Sequence, residues 1–283
     1  MDKRKFNYTG KTKKLSEAIC DYYNDINYAS FRKLLRKQDI RINGVKIKED
    51  CKINSGDSVV IYGNFLSCEF NPVILYQDEN IIAFYKPVKV SSDGENSFEY
   101  KVKTYICDEY ILCHRLDTNT DGILLFAKSR EIFEEIKKLF KDHKIEKYYL
   151  ALVFGEIRQH YIFKDYLLKN SEEKRVYIYS RKIPNSKEII TEVTPVRVYP
   201  DGTTKVEIKL ITGKTHQIRA HLSFRGYPII GDGKYGKESV NKTFNKKTQM
   251  LTAYKLRFNT ESGKLSYLDG KEITLNGEMI NNF

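Results

Sequence analysis

The chain has 283 residues, 41% of them hydrophobic, which is ample for a packed core and excludes a disordered tail. Its 49 Lys and Arg against 37 Asp and Glu give a formal charge of +12, which points to a polyanionic partner without choosing between nucleic acid and an anionic membrane surface. No run approaches the ~18 to 20 apolar residues that span a bilayer. The basic stretch 1–14 lacks the apolar segment of a signal peptide, so a cytoplasmic protein with no membrane partner is expected. Five cysteines, Cys20, Cys51, Cys68, Cys107 and Cys113, are odd in number and contain no Cys-x-x-Cys pair; they are read as reduced and structural, with no metal.

The first sixty-odd residues read as a unit. Leu15, Ala18, Ile19 and Tyr22 fall at helical spacing, and Phe31, Leu34 and Leu35 do so again, with Arg32, Lys33, Arg36 and Lys37 on the opposite side of that second helix. Ile40-Arg41-Ile42, Asn43-Gly44 and Val45-Lys46-Ile47 predict a hairpin, and Gly56-Asp57 precedes a last strand, Ser58 to Tyr62. Residues 1–63 carry 14 Lys and Arg against 8 Asp and Glu, so a surplus of six positive charges, half the total, sits in under a quarter of the length. A solvated helix face is the bland reading of 32–37. A basic helix leading straight into a basic hairpin favours binding instead.

Residues 12–63 resemble the small alpha-L RNA-binding domain first known from a ribosomal small-subunit protein, through Leu15, Ala18, Phe31-Arg32-Lys33-Leu34-Leu35, Ile42-Asn43-Gly44 and Ser55-Gly56-Asp57. That resemblance implies that Arg32, Lys33, Arg36 and Lys37 meet RNA. It names a partner and no reaction.

Phe65 to Pro72 reads as a connection, after which a larger domain begins, so the expected division is 1–66 and 67–283. Ile81 to Tyr85 reads as a buried strand ended by Lys86-Pro87. His114-Arg115-Leu116-Asp117, followed by Thr118 to Gly122 and the apolar run Ile123 to Ala127, places a lone carboxylate beside a basic residue at the mouth of a turn into a buried strand. There a rigid strand fixes the backbone while a loop exposes the functional group. Ser129 caps a helix with the apolar stripe Ile132, Phe133, Ile136, Leu139 and Phe140. Tyr149 to Phe154 and the alternating 205–210 read as strands, and a helix is expected from about Thr215 to Phe224, stopped by Gly226. Gly231-Asp232-Gly233-Lys234 lacks phosphate-loop spacing and reads as a turn. The fold class is therefore α+β, a mixed sheet domain behind a small N-terminal one.

Taken alone, Asp117 is as ordinary as any aspartate opening a turn. Its neighbours argue for more: Arg115 would share a strand face with it, and Arg219 follows the 210–214 turn on a helix that could face the same cleft. His216 and His221 lie about 140° apart on a helix and cannot simply chelate one ion, whereas His216 and Arg219 share a face suited to a phosphate or carboxylate. There is no phosphate-cradling glycine loop, dinucleotide fingerprint or Gly-x-Ser-x-Gly elbow, and no cofactor is expected.

The 114–117 motif, with Thr120, Gly122, Leu124, Leu125, Ala127 and Lys128, resembles that of the RluA-type pseudouridine synthases. Lys147, Tyr149, Leu150, Ala151, Val153 and Gly155 resemble a second block. Leu210, Thr212, Gly213, Thr215, His216, Gln217, Ile218, Arg219 and His221 resemble a third, and 226–236 and 251–258 continue it. The resemblance covers about 72–260 and implies a largely antiparallel catalytic sheet. It implies Asp117 as the catalytic carboxylate, Arg219 keeping it ionised, Tyr149 against the uracil, and Arg115, His114, Lys214, His216 and Gln217 among the groups that meet RNA. Three departures stand out: Asp121 replaces a small residue, Lys214 an arginine, and Val88-Lys89 an Ala-Gly. Lys214 keeps the charge and loses the planar fork.

The expected activity is isomerisation of uridine in RNA, large-subunit ribosomal RNA first and transfer RNA second, by a monomer without a protein partner. Two competitors are an RNA-binding assembly factor without catalysis, against which Asp117, Tyr149 and Arg219 argue, and a hydrolase using Asp117 with Asp121 as second carboxylate.

Overall fold

The structure, a computed structural model, describes residues 2–23, 26, 28–63 and 70–280. Cys68 and most of the connection read at 65–72 lie outside the described residues. Two compact units are present. One comprises 1–71 together with 93–110, the other 72–92 and 111–283. The stretch 93–110 thus groups with the N-terminal unit, which a single boundary near residue 66 does not capture.

In the first unit the elements are β1 (Asp2–Asn7), β2 (Lys13–Lys14), α1 (Leu15–Tyr22), α2 (Tyr28–Arg36), β3 (Ile40–Ile42), β4 (Val45–Lys46), β5 (Lys52–Ile53), β6 (Ser58–Gly63) and, from the later stretch, α3 (Phe98–Tyr105). A four-stranded antiparallel sheet in the order β1-β6-β3-β4 closes over Leu15, Ala18, Ile19, Phe31, Ile40, Val59 and Ile61. The turn between β3 and β4 has positive φ at both Asn43 and Gly44, as a two-residue hairpin with the native strand twist requires. Helix α3 is capped by Ser97, whose hydroxyl accepts from the Tyr100 N–H, and it packs on α2.

The second unit contains β7 (Ile74–Gln77), β8 (Ile81–Lys86), β9 (Ile111–Leu112), β10 (Asp121–Ala127), α4 (Arg130–Lys141), β11 (Ile145–Phe154), β12 (Tyr161–Asn170), β13 (Arg175–Tyr179), β14 (Lys187–Val198), β15 (Thr203–Leu210), α5 (Gln217–Phe224), α6 (Glu238–Thr243), β16 (Leu251–Phe258), β17 (Glu272–Thr274) and α7 (Gly277–Ile280). Its 11-stranded sheet runs β13-β12-β14-β15-β11-β16-β10-β8-β7, with β9 beside β10 and β17 beside β16. Every described pairing in it is antiparallel except β10 with β16. Strand β10 is buried along its whole length, as its uninterrupted apolar run demands. Ser129 caps α4 through the Ile132 N–H, and the apolar stripe of α4 packs against Ile123, Leu125, Phe258 and Leu268. Helix α5 ends in paired bonds from Tyr227 N–H to Leu222 O and from Gly226 N–H to Ser223 O. Among the described residues no helix is long and apolar enough to cross a membrane.

The parallel pair explains Gly122. Asp121 aligns with Thr252 and Gly122 with Ala253, and a Cβ on Gly122 would lie 2.2 Å from the Ala253 carbonyl oxygen. Only glycine permits that approach together with φ of +121°. The start of β10 is thereby pinned against β16, directly behind the loop that carries Asp117.

Candidate active site

The 113–117 segment is extended loop, so the strand-face argument for Arg115 does not hold; Arg115 is exposed there. What fixes Asp117 is its surroundings. Ser92 Oγ donates to Leu116 O and accepts from Leu116 N–H, gripping the residue before it at 2.8 and 2.9 Å. Thr120 N–H bonds back to Asp117 O, and Gln249 holds the Thr120 hydroxyl. Asp121, the unusual residue of the motif, is buried and accepts from Tyr85 OH at 2.8 Å and Thr252 Oγ1 at 2.6 Å, tying the base of the loop to β8 and β16. That engagement leaves it a brace for the loop, not a second carboxylate facing Asp117.

Lys86 lies beneath. Its fully buried ammonium donates to the carbonyls of Pro87 and Val90 at 2.9 and 2.8 Å, which shapes the 87–90 turn. Burial pushes it down to about 8, against the pull of Asp121 and Asp117. Lys89 in that turn has φ of +64°, the conformation a glycine would take without strain.

Arg219 comes from α5 and donates through Nη1 to Asp117 Oδ2 at 2.8 Å. Its other edge is clamped by Asp232, Nε to Oδ2 at 2.7 Å and Nη2 to Oδ1 at 2.9 Å. The Asp232 side chain is 1% exposed and that of Arg219 9%, while Asp117 keeps 25%. The guanidinium is therefore fixed from behind and presents one nitrogen to a carboxylate open to the site. Burial works against charge on Asp232, yet the Arg219 fork and the N–H groups of Tyr235 and Lys234 outweigh it and hold the carboxyl below its ordinary range. The Tyr235 ring faces the Arg219 guanidinium at 5.3 Å.

Tyr149 on β11 is 7% exposed. Burial, reinforced by the Asp117 charge, raises its phenol above the ordinary value, so it stays protonated. His216, half-buried and at φ of +53°, precedes α5, which begins at Gln217, two residues later than expected; its Nδ1 meets Tyr235 OH at 2.9 Å. Lys214 is exposed beside the half-buried Lys147, whose ammonium burial and the Lys214 charge depress.

Two expected RNA contacts have other tasks. The ring of His114 accepts the Leu125 N–H through Nε2 and packs edge-on against Phe140, and burial, then Lys147, pushes it down to about 3. The half-buried ring thus uses Nε2 as an acceptor within the fold. Gln217 is buried with all four hydrogen-bonding positions engaged: it accepts from Thr212 Oγ1 and Lys214 N–H and donates to Ile190 O and Thr191 Oγ1. It braces the 212–217 turn. In the first unit, Arg32 is bonded to Asp108 at 2.9 Å and the Lys33 ammonium stands 5.8 Å from the Tyr105 ring centre, whereas Arg36 and Lys37 are exposed. The 93–110 stretch thus engages two of the four basic residues at 32–37 and leaves them half-exposed.

Sequence reasoning missed Asp232 and Tyr235 as parts of this cluster. The 231–236 stretch is indeed a turn, but its aspartate points inward to an arginine 13 residues earlier, and no local pattern encodes that. His221 stands apart, bonded to Asp165 and Thr191. Among the described residues no group of three or more His, Cys, Asp or Glu is arranged to hold a metal.

Residues 80–224 match the family model described as RNA pseudouridylate synthase. The "Ribosomal large subunit pseudouridine synthase C" of Buchnera aphidicola subsp. Baizongia pistaciae is 33% identical over 253 residues, covering 80% of this chain and 79% of its own length. The protein of the same name from Vibrio vulnificus is 29% identical over 234 residues, covering 75% and 73%. Among solved structures, Human RNA Pseudouridylate Synthase Domain Containing 1 is similar with a TM-score of 0.59 at 28% identity, covering 68% of this chain and 80% of that one. The matched segment contains Asp117, Tyr149 and Arg219, and the chain belongs to the RNA pseudouridylate synthase family.

Proposed function

We propose that this protein converts uridine to pseudouridine in large-subunit ribosomal RNA, with Asp117 as its catalytic carboxylate. The names of the similar bacterial proteins support the substrate. The observation that carries the assignment of Asp117 is its pairing with Arg219, itself clamped from behind by Asp232.

The reaction breaks the bond from ribose carbon 1′ to uracil nitrogen 1, turns the base, joins carbon 5 to carbon 1′ and moves the carbon 5 proton to nitrogen 1 by way of solvent or enzyme. Atoms balance without redox change or an external group. A carboxylate serves by adding to carbon 1′ or by starting elimination across the sugar, and both need it held close to that carbon. Preorganisation is what the clamp supplies: Arg219 is already fixed beside the Asp117 carboxylate and need not rearrange as that group gives up its charge and later regains it. Tyr149 offers a flat face to a base removed from its stack, and its raised pKa suits it to that contact better than to acting as a phenolate. The adjacent Lys147 and Lys214, two cations side by side, suit a backbone phosphate. The first unit we assign to RNA binding of the alpha-L type, through its exposed Arg36 and Lys37.

Release of tritium from carbon 5 of labelled uridine in ribosomal RNA tests the assignment. Asp117→Asn abolishes release while RNA affinity stays within a few fold; undiminished release in the variant removes Asp117 from the chemistry. Mapping pseudouridine in ribosomal and transfer RNA from cells with and without the protein tests the substrate.

A further inference from the structure

The aromatic residue between Arg219 and the edge of the sheet has an arrangement that the pairing of Arg219 with Asp117 does not require. Tyr235 is buried, and its hydroxyl makes two contacts: it accepts from the Val176 N–H of edge strand β13 at 3.0 Å and lies 2.9 Å from His216 Nδ1. A phenol has one proton to give. Among the described residues the only other group at its oxygen is the Val176 N–H, itself a donor, so the phenolic proton goes to His216 Nδ1. The opposite arrangement, with Nδ1 protonated, would bury a phenolic proton without an acceptor.

We propose that Tyr235 is a positioning residue that locks His216 in one tautomer, Nδ1 accepting and Nε2 carrying the proton, so that Nε2–H serves as a fixed donor to an oxygen of the bound nucleotide. The proposal rests on the uridine isomerase reading for the identity of that nucleotide; the tautomer itself does not depend on it. Three observations support it. His216 is held at a positive φ that a non-glycine residue adopts at a cost, which is how a side chain is aimed at a functional site. Its charged surroundings, Asp117, Arg219, Lys234 and Asp232, are of both signs, while burial sets the balance and lowers its pKa, favouring the neutral ring in which tautomers matter. The same tyrosine ring has two guanidinium groups near it, Arg219 at 5.3 Å and Arg175 at 5.1 Å from its centre, so one residue touches both His216 and Arg219.

Long-range proton–nitrogen correlation spectra of the full-length protein labelled with 15N-histidine read the tautomer directly, with His216→Gln identifying the signal. The expected wild-type pattern has an unprotonated Nδ1 and a protonated Nε2. Tyr235→Phe keeps the ring beside the two arginines and removes only the hydroxyl. His216 then averages between tautomers, and kcat/KM for tritium release falls about three- to tenfold, as expected for one neutral hydrogen bond. His216→Gln, which keeps a donor near Nε2, retains more kcat/KM than His216→Ala. A wild-type Nδ1–H pattern overturns the proposal and needs no variant to fold. So does an unchanged tautomer and unchanged kcat/KM in Tyr235→Phe. If the wild-type protein releases no tritium from any RNA, the isomerase reading fails while the spectrum still decides the tautomer.

Discussion

Asp232→Asn is the sharpest perturbation of the site, because it leaves shape nearly unchanged and removes one charge. The carboxylate accepts four bonds: Arg219 Nε and Nη2 at 2.7 and 2.9 Å, and the N–H groups of Lys234 and Tyr235 at 2.8 and 3.0 Å. An asparagine oxygen keeps the two backbone donors, but its NH2 then faces the Arg219 Nε–H, donor against donor. Breaking a buried ion pair costs about 3 to 5 kcal/mol. Asp117 remains as a second partner for the guanidinium, so about 3 kcal/mol, the low end, is expected in urea unfolding. With the rear clamp gone, a shift of Arg219 by about 1 Å lowers kcat/KM for tritium release on the order of 100-fold. The pH dependence has a definite sign. The folded carboxyl sits below its ordinary range, so the unfolded chain binds this proton more readily; the stabilisation is complete above the unfolded value, about 4, and drains away as pH falls through the lower folded value. Asp232→Asn therefore flattens the acid limb of the stability curve. A loss under about 1 kcal/mol with kcat/KM within threefold of wild type would refute the clamp.

Three other outcomes are expected. Gly122→Ala places a Cβ against the Ala253 carbonyl and costs about 3 kcal/mol or more, seen as a lowered unfolding midpoint; a neutral substitution would mean β10 and β16 are not held as described. Lys89→Gly relieves a left-handed lysine and raises stability by about 0.5 kcal/mol after the entropy of glycine is counted, while a clear loss would show that the turn is held by the lysine itself. Arg36→Ala with Lys37→Ala lowers the slope of log affinity for RNA against log salt by about 1.5, from about 0.7 to 0.9 per phosphate contact. Arg32→Ala, whose guanidinium is already engaged by Asp108, changes it less, and the reverse ranking would contradict the assignment of the exposed pair.

Elements with strong local encoding were legible: the 43–44 hairpin, the Ser129-capped helix, the apolar run of β10 and the glycine-stopped α5. Strands β12 to β14 were not. The alternation of β12 is interrupted by Asp165, a buried carboxylate whose partners His221 and Arg225 lie about sixty residues on. The approach of Arg219 to Asp117 was suggested by its place on a helix after the 210–214 turn, and the resemblance of motifs sharpened it. The clamp behind it was missed because Asp232 has the local look of any turn aspartate. The bond of His114 was not legible for the converse reason: beside a functional acid the histidine looks like a ligand, and no local pattern shows that its Nε2 accepts the Leu125 N–H.

The one parallel pair in the large sheet has a consequence for how activity arises during synthesis. Asp117 meets its arginine 102 positions later, and Asp121 meets Thr252 131 positions later. Closing loops of that length comes late in folding, after the local hairpins and capped helices. A nascent chain that has not yet delivered β16 carries the acid on a loop held by Ser92 but without the Thr252 tie at its base. The complete arrangement around Asp117 therefore forms only once nearly all of the second unit has emerged.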